Sequence, residues 1–141
     1  MVPHERLLKK MEAHGVCGRI LDWIRDWLSG RKQRTVLNGE SSDWGQVHSG
    51  VPQGSVMGPL AFLVFINDID GMAGMIDILL KFADDTKLGH RIIDEIDRDT
   101  LQKGLDNLMD WARTWGMKFN IDKWKVMHVG RSNKMFTYQM N

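Results

Sequence analysis

Cysteine is almost absent from this chain: Cys17 is the only one in 141 residues. A single thiol excludes an internal disulfide, and no Cys/His spacing of a zinc site exists. Long apolar runs are missing too. The longest, Leu60 to Ile66, falls far short of the roughly 18–20 residues of a membrane span. No apolar segment of a signal peptide follows the opening Met1-Val2-Pro3-His4-Glu5-Arg6. Repeats and low-complexity linkers are also lacking. The net charge is only +1 and the pI about 7.9, which excludes a strongly basic nucleic-acid protein judged by whole-chain charge. A local basic patch remains open, and Arg31-Lys32-Gln33-Arg34 is one; its alternative is a solvated loop. These absences lead us to expect an intracellular protein, in nucleus or cytoplasm, neither secreted nor bound to a membrane.

What is present suits one domain with a modest core: 16.2 kDa, 43% hydrophobic and 26% charged residues. Glu5 to about His14 reads as a short helix, broken by Gly15 and Gly18. A second helix runs from Gly18 to Leu28, with Ile20, Leu21, Ile24, Trp27 and Leu28 at three- and four-residue spacing. Trp23 and Trp27 read as core or helix-packing residues. Gln33 to Leu37 is expected to be a strand. It turns at Asn38-Gly39, a strong hairpin signal, and returns within Ser42 to His48.

Ser49-Gly50-Val51-Pro52-Gln53-Gly54-Ser55 is a loop rich in small residues. A helix is expected from Val56 to Ile69, with Leu60, Leu63, Val64 and Asn67 on one side. Proline in its first turn costs little. The apolar run Ile76 to Ala83 reads as a strand that stops at Asp84-Asp85, with a return over Thr86 to Gly89. The clearest helix is Asp94 to Trp115, where Leu101, Leu105, Leu108, Ala112 and Trp115 share a face and Gly116 caps the end. Strands are expected at Met117 to Ile121, Trp124 to Val129 and Phe136 to Met140, the last two joined by a turn at Gly130 to Asn133. Mixed helices and hairpins make the fold class α+β.

The chemistry lies in three segments. Adjacent carboxylates at a hairpin tip are a natural seat for hard divalent cations, although Asp-Asp also suits an ordinary turn. A small-residue loop before a helix lets a substrate approach the backbone, and Gln53 can add a hydrogen bond to a base or sugar. A lysine such as Lys123 can neutralise or protonate a departing phosphate; it also reads as a solvated strand-end lysine. Phe82 reads as core. Combined, these segments outline a nucleotidyl-transfer site.

The same segments resemble the reverse-transcriptase palm of non-LTR (LINE-type) retrotransposons. Ser49 to Leu60 with Ile66-Asn67-Asp68-Ile69 is similar to the motif B loop and helix. Phe82 to Leu88 is similar to motif C, Gly116 to Lys123 to motif D, and His128 to Asn141 to the start of the motif E primer grip. Val2-Pro3-His4 and Asp26 to Arg34 also fit, so the resemblance covers essentially the whole chain, as one partial domain over 1–141.

The resemblance implies an RNA-directed DNA polymerase acting on an RNA template, a DNA primer and dNTPs, with two Mg²⁺ ions. Asp84 would be the principal metal ligand and Asp85 a second acid beside it, with Lys123 near the triphosphate. Gln53 and Gly54 would shape the nucleotide and template pocket, Phe82 and Ala83 would lie by the primer terminus, and Arg31, Lys32 and Arg34 would face nucleic acid.

In the family a third aspartate, on a motif A strand just upstream of Val-Pro-His, shares the metals. Here the sequence opens on Met1-Val2-Pro3-His4. We therefore expect a partial palm without the motif A strand, most of the fingers or the thumb, and a chain that does not extend a primer by itself. Asp68, Asp70 and Asp77 are expected not to substitute. Trp124, where relatives commonly carry cysteine, is expected to matter for packing alone. The alternative is a non-catalytic retroelement remnant, or a fragment that binds nucleic acid or protein.

Overall fold

The computed structural model describes residues 2–140, so Met1 and Asn141, the ends of the expected domain and of its motif E segment, lie outside the described residues. The architecture is α+β, with helices and three small antiparallel two-stranded sheets. The chain forms two compact units, one ending at Ile66 and one beginning at Asn67. Among the described residues no helix is long and apolar enough to cross a membrane.

The first unit opens with α1 (His4–Ala13) and α2 (Gly18–Leu28), close to the helices expected from periodicity. Both are amphipathic. Leu7, Leu8 and Met11 of α1 and Leu21, Ile24 and Leu28 of α2 are buried. α1 packs on α2 and on α3 (Met57–Ile66), which supplies Ala61, Phe65 and Ile66 to the same core. Lys10 is buried with them. Its ammonium donates to the Phe65 carbonyl, an end group of α3, and lies over the Phe65 ring, 4.8 Å from the centroid. The charge is thus met by the negative end of a helix and by a ring face.

Some expectations fail in this unit. α3 does not continue to Ile69; the chain tightens into a 3-10 turn over Asn67–Gly71. Its buried face is Gly58, Ala61, Phe65 and Ile66, while Leu60 and Leu63 are 51% and 56% exposed. The helix is apolar on every side, so periodicity cannot choose a face. The choice falls where Gly58 comes close to Pro52: a Cβ at Gly58 would stand 2.5 Å from the Pro52 carbonyl oxygen. Trp23, expected to be packed, is 54% exposed; it stacks on Trp27 with centroids 6.1 Å apart and planes at 7°.

Between α2 and α3 runs one interrupted hairpin. Its tip pairs β2 (Val36–Leu37) with β3 (Glu40–Ser41) across Asn38-Gly39, at φ 51° and 87°, the two left-handed positions of a tight hairpin turn. Its base pairs β1 (Lys32–Gln33) with β4 (Gly45–Gln46). Between the two ladders Arg34-Thr35 faces the three residues Ser42 to Trp44, so the hairpin carries a bulge. The return strand begins at Glu40, not Ser42, because the two-residue turn lets pairing resume at once.

The second unit holds β5 (Ile78–Phe82), β6 (Asp85–Gly89) and α4 (Glu95–Trp115). α4 starts on a reciprocal cap. The Asp94 carboxylate accepts from the N–H groups of Ile96 and Asp97 at 2.9 and 3.1 Å, while the Asp97 carboxylate accepts from Ile93 and Asp94 at 2.7 and 3.2 Å. It stops at Gly116, at φ 68°. Leu105, Leu108 and Ala112 are buried as expected, together with Trp111, whose indole N–H donates to Asp68 at 2.9 Å.

Past Gly116 the expected strands do not form. The chain makes a short 3-10 turn, Ile121–Lys123, and then runs without a ladder. Its backbone finds other partners: the Gln102 side chain on α4 donates to the Gln139 carbonyl at 2.8 Å and accepts from its N–H at 2.9 Å. A side-chain amide here takes the place of a neighbouring strand. The turn expected at Gly130 to Asn133 is present, closed by a bond from the Asn133 N–H to the Gly130 carbonyl at 3.4 Å.

Candidate functional site

The aspartate pair sits on the β5–β6 hairpin. Ladder pairing runs from Ile78 opposite Gly89 to Phe82 opposite Asp85. The two-residue loop is therefore Ala83-Asp84, and not the aspartate pair itself. Asp84 lies in the turn, while Asp85 is the first residue of the return strand. Ala83 takes φ 51°, a left-handed position that an L-residue with a Cβ adopts at a cost. Both aspartates are exposed. As hard oxygen donors they fit a divalent cation, but two adjacent carboxylates are only part of a ligand set. Among the described residues no group of three or more His, Cys, Asp and Glu side chains stands together as a metal cage.

Strand alternation puts Ile78, Leu80 and Phe82 on one face, at 50%, 59% and 83% exposure. Phe82, read as core from sequence, is thus a solvent-facing ring one residue from the turn. Lys81, on the opposite face, is anchored by an ion pair with Asp70 at 2.9 Å. The other two candidate substitutes are also engaged in place. Asp68 takes the Trp111 N–H, and Asp77 lies 3.0 Å from His90 Nδ1 and accepts from the Arg91 N–H at 2.7 Å. Lys123 ends the 3-10 turn after α4 and is exposed.

Gln53 and Gly54 belong to the first unit, at the exposed tip of the loop that leads into α3. Gly50 and Gly54 take φ 92° and 79°, which glycine alone adopts freely. On the exit side the Ser55 hydroxyl donates to the Pro52 carbonyl at 2.7 Å and accepts from the Gly58 N–H at 3.0 Å. On the entry side His4 and Val2 hold Gly50. Neither His4 nor Ser55 stands out in sequence, because their role is to hold backbone and not to offer a reactive group.

The basic cluster lies along the first hairpin. Lys32 and Arg34 are exposed and Arg31 half-buried. The Arg34 guanidinium lies over the Trp44 ring at 4.8 Å, across the bulge. Gln33, Arg34, Thr35, Ser42, Asp43 and Gly45 line a shallow polar hollow beside it. The signal missed in sequence is the pairing register, which brings Trp44 back to Arg34.

The chain is thus of α+β type, with an exposed aspartate pair at one hairpin tip and a separate glycine-rich loop entering a helix. The reverse transcriptase (RNA-dependent DNA polymerase) family profile matches residues 1–139, and the chain belongs to that family. Among curated proteins it is similar to the "RNA-directed DNA polymerase from mobile element jockey" of Drosophila funebris, 29% identical over 112 residues, which is 74% of this chain and 12% of that protein. It is also similar to the "Probable RNA-directed DNA polymerase from transposon X-element" of Drosophila melanogaster, 32% identical over 105 residues, 71% of this chain and 12% of that protein. The chain therefore spans about an eighth of the length of these relatives. The similarity agrees with the non-LTR reverse-transcriptase resemblance of its motifs.

Proposed function

We propose that both units belong to one partial reverse-transcriptase domain, in which the Ala83-Asp84-Asp85 turn is the metal-bearing motif C of a palm. The observation that carries this reading is the tip itself: a two-residue turn ends on Asp84 and leads directly into Asp85, both carboxylates exposed, in a chain the family profile covers almost completely. In the whole protein the reaction is RNA-templated nucleotidyl transfer to a DNA primer, within the cell. Asp84 and Asp85 would hold Mg²⁺, which activates the primer hydroxyl and steadies the charge on the phosphates. Lys123 offers a cation to the departing pyrophosphate, and the exposed Gln53 amide offers hydrogen bonds to a base or sugar.

Two-metal chemistry asks for more carboxylate than one hairpin tip provides. Asp68, Asp70 and Asp77 are already engaged by Trp111, Lys81 and the Arg91 N–H. We propose that the chain by itself does not extend a primer. The test is a DNA-primed RNA template with dNTPs and Mg²⁺. No incorporation supports the reading, whereas robust incorporation lost in Asp84→Ala overturns it.

The alternative, a non-catalytic fragment that binds nucleic acid, is favoured by one observation, the basic hairpin with Arg34 over Trp44. It needs no metal. It predicts salt-sensitive binding that persists in Asp84→Ala, and it fails if the duplex is not bound at low salt.

A further inference from the structure

His4 is the first residue of α1, yet its side chain serves a loop 46 residues away. Its Nε2 lies 2.9 Å from the Gly50 carbonyl oxygen, in a half-buried position. A carbonyl can only accept, so Nε2 carries a proton and donates; of the two neutral tautomers only the Nε2–H form makes this bond. The same stretch also meets the loop through backbone. The Gly50 N–H donates to the Val2 carbonyl at 2.7 Å, as part of an antiparallel bridge centred on Pro3 and Ser49. Both polar groups of the Gly50 backbone are thus held by residues 2 and 4.

The base of this clamp is rigid. Three residues beyond His4 begin the buried Leu7, Leu8 and Met11 of α1, and Val2 is itself buried. Gly50, at φ 92°, is the pivot from which the loop leaves the hairpin. Its other end is closed by Ser55 on Pro52 and Gly58. Between the two clamps, Gln53 and Gly54 are the exposed residues. A short loop fixed at both ends presents its tip in few conformations, which lowers the ordering cost when a ligand binds there.

We propose that His4 is a positioning residue for the Gln53-Gly54 tip, acting through the Gly50 carbonyl to hold the loop ready for a base or sugar. This rests on the nucleotide-binding reading of Gln53. The positional effect is read without any nucleotide, so the two ideas fail separately.

The experiment is amide hydrogen exchange and ¹⁵N NMR on the full chain, with His4→Ala and His4→Gln. Glutamine places an N–H donor near the position of Nε2. The His4 imidazole is expected as the Nε2–H tautomer. In His4→Ala the amides from Gly50 to Gly54 should exchange about fivefold faster, the weight of one ordinary hydrogen bond, while Leu7 and Leu8 keep their protection. His4→Gln should restore most of that protection. If His4→Ala does not fold, the tautomer and His4→Gln still decide. The Nδ1–H tautomer, unchanged loop exchange in His4→Ala, or faster exchange throughout α1 with no rescue by glutamine overturns the proposal. With the loop effect present, unchanged binding of a primed template plus matching dNTP in His4→Ala would overturn the nucleotide role and leave the clamp standing.

Discussion

Phe82 and Asp85 face each other as the last pair of the β5–β6 ladder, leaving Ala83 and Asp84 as the whole turn. The two aspartates therefore differ in kind. Asp84 is displayed by a loop, and Asp85 by a strand whose alternation fixes its direction.

The turn stores a small strain in Ala83, at φ 51°. Ala83→Gly relieves it at some cost in unfolded-chain entropy, and we expect the hairpin to gain a few tenths of a kcal/mol up to about 1 kcal/mol. Ala83→Val should destabilise it, since a β-branched side chain tolerates a left-handed position least. Denaturant midpoints of the three proteins check this, and a stabilised Ala83→Val would contradict it.

Gly58 marks where α3 meets the loop before it. A methyl there would stand 2.5 Å from the Pro52 carbonyl oxygen and 3.0 Å from Ser55 Oγ. The nearest obstacle is backbone, so Gly58→Ala should cost about 1–3 kcal/mol despite alanine's better helix propensity. It should also loosen the Ser55 bonds that close the loop. Thermal unfolding with loop amide exchange reads both effects.

The cap of α4 responds to acid. The Asp97 carboxyl is held below its ordinary value of 3.8, first by the Ile93 N–H and then by the Asp94 N–H. Its folded value is depressed, so the stabilisation is fully present above 3.8 and is lost as pH falls through the lower, folded value. Asp97→Ala should remove this acid-sensitive component of helix loss in circular dichroism. Asp94→Ala should cost about 1 kcal/mol at neutral pH through the lost N-cap.

Much of this was legible in sequence, for reasons the residues show. Gly18 to Leu28 is amphipathic with glycine breaks, and Asp94 to Trp115 has an apolar stripe with Gly116 as its end cap, so those helices were plain. Asn38-Gly39 and Asp84-Asp85 marked both hairpins. What stayed hidden depended on neighbours. α3 is apolar all round, so only its approach to Pro52 selects the inward face. The tail has strand-like residues but no strand beside it, and it turns to Gln102 instead. The aspartate pair was visible as a motif, yet which aspartate lies in the turn depends on register, and His4 bonding to Gly50 is a contact no local pattern announces.

The basic hairpin gives a salt-dependent prediction. If Arg31, Lys32 and Arg34 each meet a phosphate, neutralising all three should lower the slope of log affinity against log salt by about 2–3 for a primer–template duplex. Arg34→Lys should weaken binding by less while exposing Trp44 to fluorescence quenchers, because the ammonium does not stack as the guanidinium does. An unchanged slope would remove the hairpin from the nucleic-acid surface.

The account rests most heavily on Asp84 and Asp85 as the seat of a divalent cation. Titration of the ¹⁵N-labelled chain with Mn²⁺, which stands in for Mg²⁺ and broadens nearby resonances, tests that directly. The account predicts broadening centred on the Ala83, Asp84 and Asp85 amides, competed by Mg²⁺ and abolished when both aspartates are changed to asparagine. Broadening that spares the hairpin turn, or that persists in the double variant, would contradict it.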